Sequence, residues 1–189
     1  MSALPFPAAE PLDPAAWREG LELPRWELAV TTTLIVTGAV ASRDFYAGHH
    51  DRDAARAAGS PDVFMNIMTT AGLVGRYLTD LTGPDGRLDD LDLRLGAPNR
   101  PGDVLELGGE VVGTADGPDG SLLIDIAYRG TNARGAHAHG TARIDLARAG
   151  RNAADHDPVA GGGEQPLPRG PHGRGAPHDS HHEEGTGED

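Results

Sequence analysis

The chain has 189 residues, a formal net charge of −13, 29 acidic against 16 basic residues, and neither cysteine nor lysine, a length that suits one domain with residues to spare. The lack of cysteine excludes disulfides, thiolate nucleophiles and zinc sites built on Cys, and the acidic balance argues against non-specific nucleic-acid binding, which needs a basic footprint. No stretch is long and apolar enough to span a bilayer, and residues 1–22 lack the basic and apolar regions of a secretory signal, so a cytoplasmic protein is expected.

Residues 1–22 are rich in Pro and Ala with weak periodicity and read as a flexible leader to a domain over 23–148. Residues 25–32 alternate loosely, as a strand does, and the small apolar run Thr33 to Ser42 suits a helix. Asp51 is a good N-cap for a short helix over Arg52 to Ala58, with Gly59 as its stop and Ser60-Pro61-Asp62 as a turn. From Phe64 to Leu81 apolar residues recur at helical spacing: Phe64, Ile67, Met68, Ala71, Val74, Leu78 and Leu81. Charge enters that segment only near its end, at Arg76 and Asp80, which predicts a helix wrapped by other structure. Gly83-Pro84-Asp85-Gly86 then breaks the chain.

Everything after Gly86 reads as strands. Leu91, Leu93 and Leu95 alternate with Asp92 and Arg94, and Val104 to Gly113, Leu122 to Tyr128 and Ala136 to Leu146 follow, separated by turns at Pro98–Asp103 and Asp116–Gly120. One buried helix followed by an antiparallel meander is an α+β layout with the sheet curling around the helix. From Ala149 onward Gly and Pro abound, eight acids face three arginines, and Val159 and Leu167 are the only large apolar residues. Such a segment cannot bury enough surface to offset its ordering entropy, so residues 149–189 read as disordered.

Candidate chemistry centres on Arg43-Asp44-Phe45-Tyr46-Ala47-Gly48-His49-His50. An Asp and a His five positions apart have a structural reading, in which Asp44 caps a helix and His49 lies at the surface. They also have a catalytic one. Folded into one pocket, the His is a base suited to neutral pH, the acid can be tuned by its surroundings, and the two can hold a water between them. His50 reads as a packing or solvent neighbour. His137 and His139 alternate on a strand and read as a solvated face, since no third metal ligand accompanies them. His172, His178, His181 and His182 read as a compositional feature of the tail, and Met65 and Met68 as core. Arg94, Arg100 and Arg129 are candidates for phosphate contact, because guanidinium suits phosphate, although each is commonly a surface charge.

Asp44 to His49 resembles the hydratase-2 motif of the MaoC-like family, the (R)-specific enoyl-CoA hydratases of hot-dog fold. The family form is Gly-Asp-x-Asn-Pro-x-His; Asp44 and His49 match its acid and base, whereas Arg43, Tyr46 and Ala47 replace its Gly, Asn and Pro. Met65 to Tyr77 resembles the central hot-dog helix, and Arg94 to Asp103 the strand-turn element that ends in Pro-Gly-Asp. The likeness covers about residues 25–147. Arg43 to Asp51, Phe64-Met65-Asn66-Ile67 and Thr79-Asp80 resemble, more narrowly, the small MaoC-like subunit of an actinobacterial steroid side-chain enoyl-CoA hydratase.

The resemblance implies an antiparallel sheet wrapped around a long helix, catalysis by Asp44 and His49, and an oxyanion donor at the Asn66-Ile67 pair, either the Ile67 backbone N–H or the Asn66 side chain. In the implied mechanism His49 takes a proton from water, and Asp44 orients that water and returns a proton to the α-carbon. It implies an acyl-CoA or acyl-carrier-protein thioester as substrate, no cofactor or metal, and a homodimer or a heteromer with a larger MaoC-like subunit. Three alternatives stay open at this point: a dehydratase on carrier-protein-bound polyketide intermediates, a hot-dog thioesterase, and a non-catalytic scaffold subunit. The intact acid–base pair argues against the last two, because hot-dog thioesterases usually rely on an isolated carboxylate and a retired site is free to lose both groups.

Overall fold

In the computed structural model, residues 9–117 and 120–147 are described. The expected tail over 149–189, with its histidines, lies outside them. The elements are β1 (Glu22–Ala29), α1 (Thr32–Ala41), α2 (Arg52–Ala57), α3 (Ile67–Thr82), β2 (Gly86–Leu91), β3 (Arg94–Leu95), β4 (Val104–Asp116), β5 (Leu122–Asn132) and β6 (Gly135–Leu146). The sheet is antiparallel with strand order β1-β4-β5-β6-β2, and β3 also pairs with β6. This is the α+β hot-dog layout, with the sheet curled around α3. The meander holds for β4-β5-β6. β2 and β3 instead cross to the far edge of β6.

Helix α3 explains the curl. Leu73, Val74, Tyr77, Leu78 and Leu81 form its buried stripe. They meet Leu105, Leu107, Val111, Ile124, Ile126 and Ile144, which alternate along the inner face of the sheet. Burying that stripe on one concave surface removes it from water at ~25 cal/mol per Å² of apolar area. Tyr77 reaches across the layer and donates its hydroxyl to Pro24 O at 2.9 Å.

Four sequence expectations change. The helix expected from Phe64 begins at Ile67, because the Asn66 side chain caps it and Phe64 and Met65 are used in extended backbone bonds. The strand expected over Leu91–Leu95 divides into β2 and β3, since Asp92 turns its carbonyl to the Tyr128 hydroxyl at 2.7 Å. Burial first, and the Asp92 carboxylate second, push that phenol up to about 12, so it stays a donor. The leader expected over 1–22 is anchored from residue 9. Leu12 N–H donates to Leu81 O at 2.8 Å, Gly20 N–H to Val111 O at 2.8 Å, and Trp17 is buried. Met68 is 57% exposed rather than core, whereas Met65 is buried as expected.

Gly140 sits where β6 passes the segment between β2 and β3. A Cβ there would run into the backbone carbonyl of Asp92 and crowd the Tyr128 hydroxyl. Backbone cannot swing aside as a side chain can. Gly140→Ala is therefore expected to cost about 1–3 kcal/mol, measured as a lower urea midpoint at unchanged slope.

Candidate active site

The end of α1 places the acid. Ser42 is the C-cap, and Arg43 follows at φ 56, the left-handed conformation usually left to glycine. Asp44 N–H donates back to Ala39 O at 2.9 Å and Arg43 N–H to Val40 O at 3.0 Å. These two bonds make a Schellman turn, and it projects the Asp44 side chain from a rigid terminus. Asp44 caps no α-helix; its Oδ1 accepts the Tyr46 N–H at 3.3 Å.

The base is held by different elements. His49 ends a short 3-10 turn over Ala47–His49 and is 6% exposed, so it is not a surface residue. Its Nδ1 lies 2.7 Å from Phe64 O. A carbonyl only accepts, so Nδ1 carries a hydrogen and Nε2 is the nitrogen left for proton exchange. That nitrogen faces Asp44 Oδ2 at 3.3 Å. Tyr46 and Phe64 pack edge-on around the ring at centroid distances of 5.3 and 4.8 Å. Gly48 leaves room for both: a Cβ there would overlap the Tyr46 ring. Two acceptors facing each other at this distance repel unless a hydrogen lies between them, so the pair is built to share a proton.

Asp44 and His49 open onto a cavity of about 330 Å³, also lined by Phe64, Asn66, Ile67, Leu95 and His137. Asn66 is buried beside the acid. It donates from Nδ2 to Asp44 Oδ2 and to Ser42 Oγ, each at 2.9 Å, and accepts Thr69 N–H on Oδ1 at 2.9 Å. The Asn66 hydrogen bond first, then the Tyr46 N–H, and less strongly His49, hold the Asp44 carboxyl below its usual range of 3.8 against partial desolvation. Asp44 is therefore ionised at neutral pH. It adds stability above the ordinary carboxylate pKa, and this is lost as the pH falls through the depressed folded value.

Ile67 opens α3 and lines the cavity, so its N–H has no intrahelical acceptor and carries the positive end of the helix dipole. The Asn66 amide has both hydrogens committed and is not free for a substrate oxygen. Of the arginine candidates, Arg94 is exposed on β3 beside cavity residue Leu95 and lies 3.7 Å from Asp92. Arg100 closes the Pro98–Asp103 turn, its N–H donating to Asp103 Oδ2 at 2.7 Å. Arg129 projects from the outer face of β5, where it lines a separate depression with Arg25 and Glu106. Neither Arg100 nor Arg129 lines the cavity.

His137 is the residue that sequence reasoning misplaced. It is 1% exposed and lines the cavity, while His139 is exposed as expected. The pairing skips it: Gly130 opposes Ala138 and Thr131 opposes Ala136. His137 is the extra residue of a β-bulge, which turns an outward position inward. Its Nδ1 bonds Ala97 O at 2.8 Å and its Nε2 the Thr70 hydroxyl at 3.0 Å. Burial pushes its pKa down, so the ring is neutral. No cluster of three metal-ligating side chains occurs among the described residues.

No family model matches the chain. The beta subunit of 3-oxo-4,17-pregnadiene-20-carboxyl-CoA hydratase from Mycobacterium tuberculosis is 42% identical over 127 residues, covering 67% of this chain and 95% of that one. The chain belongs to the MaoC-like (R)-specific enoyl-CoA hydratase family. The crystal structure of the ChsH1-ChsH2 complex from M. tuberculosis aligns with a TM-score of 0.65 at 41% identity, over 69% of this chain and 98% of that chain. The R-hydratase PhaJ1 of Pseudomonas aeruginosa shares the fold, with a TM-score of 0.60 at 23% identity over 70% of this chain and 83% of that one. The protein is thus a hydratase, an enzyme of the hydro-lyase class.

The Schellman turn carries a prediction. An L-residue in the left-handed region costs roughly 1–2 kcal/mol, partly offset because glycine frees the unfolded chain. Arg43→Gly is expected to raise stability by up to about 1 kcal/mol, seen as a higher denaturation midpoint with Asp44 undisturbed.

Proposed function

We propose that this chain adds water across a trans-2-enoyl thioester, with Asp44 and His49 as its acid–base pair. The observation that carries the reading is the 3.3 Å approach of His49 Nε2 to Asp44 Oδ2, at a cavity that also receives the N-terminus of α3. Water bound in the cavity beside the pair gives a proton to Nε2 as its oxygen bonds to the β-carbon. The π electrons move toward the thioester oxygen, and the Ile67 N–H meets the developing enolate at the positive end of the helix. The proton then leaves the pair for the α-carbon. Since Asp44 rests as a carboxylate, any proton it returns is one released by that water. One water is consumed, a C–O and a C–H bond form, and the reverse sequence is dehydration.

The thioester is that of CoA, with an acyl-carrier-protein conjugate as the alternative, and the acyl group a steroid side chain or other lipid. This substrate class follows the hydratase relative, whose name specifies a pregnadiene carboxyl-CoA. Arg94, beside the cavity, is better placed for the CoA phosphates than Arg100 or Arg129.

The chain is proposed to act as the catalytic small subunit with a larger MaoC-like partner. Phe45, Tyr46, Ile67, Met68 and Leu95, at or next to the cavity, are 40–68% exposed. Apolar groups concentrated around a site mark a surface that another protein covers. The related ChsH1-ChsH2 structure is itself a two-protein complex.

The test is loss of enoyl-thioester absorbance with short, long and steroid-type enoyl-CoAs, for the chain alone and with a MaoC-like partner. Asp44→Asn and His49→Ala are each expected to lower turnover roughly 10²–10⁴-fold without unfolding the protein. Near wild-type turnover in either variant removes the assignment, and release of free CoA points to a thioesterase.

A further inference from the structure

We propose that Asn66 is a positioning residue for the Asp44–His49 pair, joining the N-terminus of α3 and the turn after α1 into one unit. The inference rests on the hydratase reading above and assigns Asn66 a task other than oxyanion donor.

The case begins with the valence of the side chain. An Asn has one acceptor oxygen and two amide hydrogens. Here Oδ1 accepts Thr69 N–H, and the two hydrogens go to Ser42 Oγ and Asp44 Oδ2, all at 2.9 Å, with the residue 3% exposed. Its orientation is fixed by chemistry. The flipped amide would set its NH2 against the Thr69 N–H and its oxygen against a carboxylate. Ser42 is anchored in turn, its hydroxyl donating to Gly38 O at 2.8 Å in the last turn of α1.

The carboxylate atom that Asn66 grips is the one facing His49 Nε2. Asn66 therefore sets where Oδ2 sits relative to the base. It is also the cap whose next residue, Ile67, opens α3 and lines the cavity. One side chain thus governs the spacing between the groups that handle the proton and the group that meets the enolate. A residue needed only as an N-cap would use Oδ1 alone, and Asp or Ser would serve equally well.

This difference supplies the experiment. Asn66→Asp keeps the capping oxygen but loses both donors and sets a second carboxylate against Asp44. Asn66→Ser keeps a capping oxygen without charge, on a side chain too short to hold Asp44. Among the described residues, the titratable groups lining the cavity are Asp44, His49 from the 3-10 turn and His137 from β6; Asn66 and Ser42 carry no charge. The full chain, with the partner that supports its activity, is assayed for enoyl-CoA hydration across pH, with thermal melts alongside. For Asn66→Asp the expected result is a fall in kcat/KM on the order of 100-fold, carried by kcat rather than KM. Its acidic limb moves to higher pH, and at neutral pH it melts below wild type while remaining folded at the assay temperature. Asn66→Ser is expected to lose rate in the same sense while remaining folded.

Wild-type rate and an unmoved acidic limb in both variants, with Asp44→Asn inactive, would reduce Asn66 to a helix cap and overturn the inference while leaving the hydratase reading intact. Unfolding of both variants also overturns it, because the residue is then needed for the fold itself. An active Asp44→Asn protein removes the reading underneath.

Discussion

A helix begins with amide hydrogens that its own turns cannot satisfy. In α3 that need is met by Asn66, whose remaining hydrogens reach the end of α1. The start of the central helix and the exit of the preceding one are thereby held together at a buried point. The acid leaves the exit of α1, the base is oriented by the Phe64 carbonyl just before α3, and Ile67 follows the cap. Three backbone segments thus reach one cavity because their end groups need partners and find them in one another. The sheet contributes from the other side. Leu95, Gly96, Pro98 and His137 close the cavity, and the Pro98–Asp103 turn ties that wall to the helix side, with Asn99 O accepting the Met65 N–H at 2.9 Å.

The electrostatics of the pair follow from the same bonds. Donors surround the acid, with Asn66 and the Tyr46 N–H both pointing at its oxygens, so the carboxylate is favoured over the acid form. The base commits Nδ1 to a carbonyl and turns Nε2 toward its partner. Asp44 rests as a carboxylate, able to accept a proton. Such an arrangement suits a reaction in which the proton arrives with the water and leaves to carbon. The buried His137 is held by other partners. Neutral, and bonded at both nitrogens, it fastens β6 to α3 through Thr70.

Much of the scaffold was written in local pattern. The spacing from Phe64 to Leu81 predicts the central helix, the turn residues at Gly83–Gly86 and Pro98–Asp103 bound the strands, and Asp51 caps α2, its Oδ1 accepting the Asp53 and Ala54 N–H groups. Where pattern misled, a tertiary partner outweighed it. Apolar periodicity carries the helix back to Phe64, but Asn66 stops it and the Phe64 carbonyl is spent on His49. Proline and weak periodicity make the first residues look loose, yet Trp17 is buried in the core. Alternation puts His137 and His139 on one face, and a single extra residue in β6 turns one of them into the cavity. A bulge has no dependable local signature, because the register that makes it a bulge belongs to the strand opposite.

By itself the sequence determined the class of the fold, the order of its elements and the two residues worth suspecting, because propensity, periodicity and a motif's spacing are properties of neighbours along the chain. It left open whether an Asp and a His five apart would ever meet, and whether Asn66 would face a substrate or a carboxylate. Only the tertiary structure decided these. The distance from His49 to Asp44 depends on a carbonyl fifteen residues after the histidine, and the grip on Asp44 depends on an amide twenty-two residues after the acid. Hydrogen-bond geometry between segments so far apart is set by how a helix and a sheet pack, a quantity that no local stretch of sequence contains.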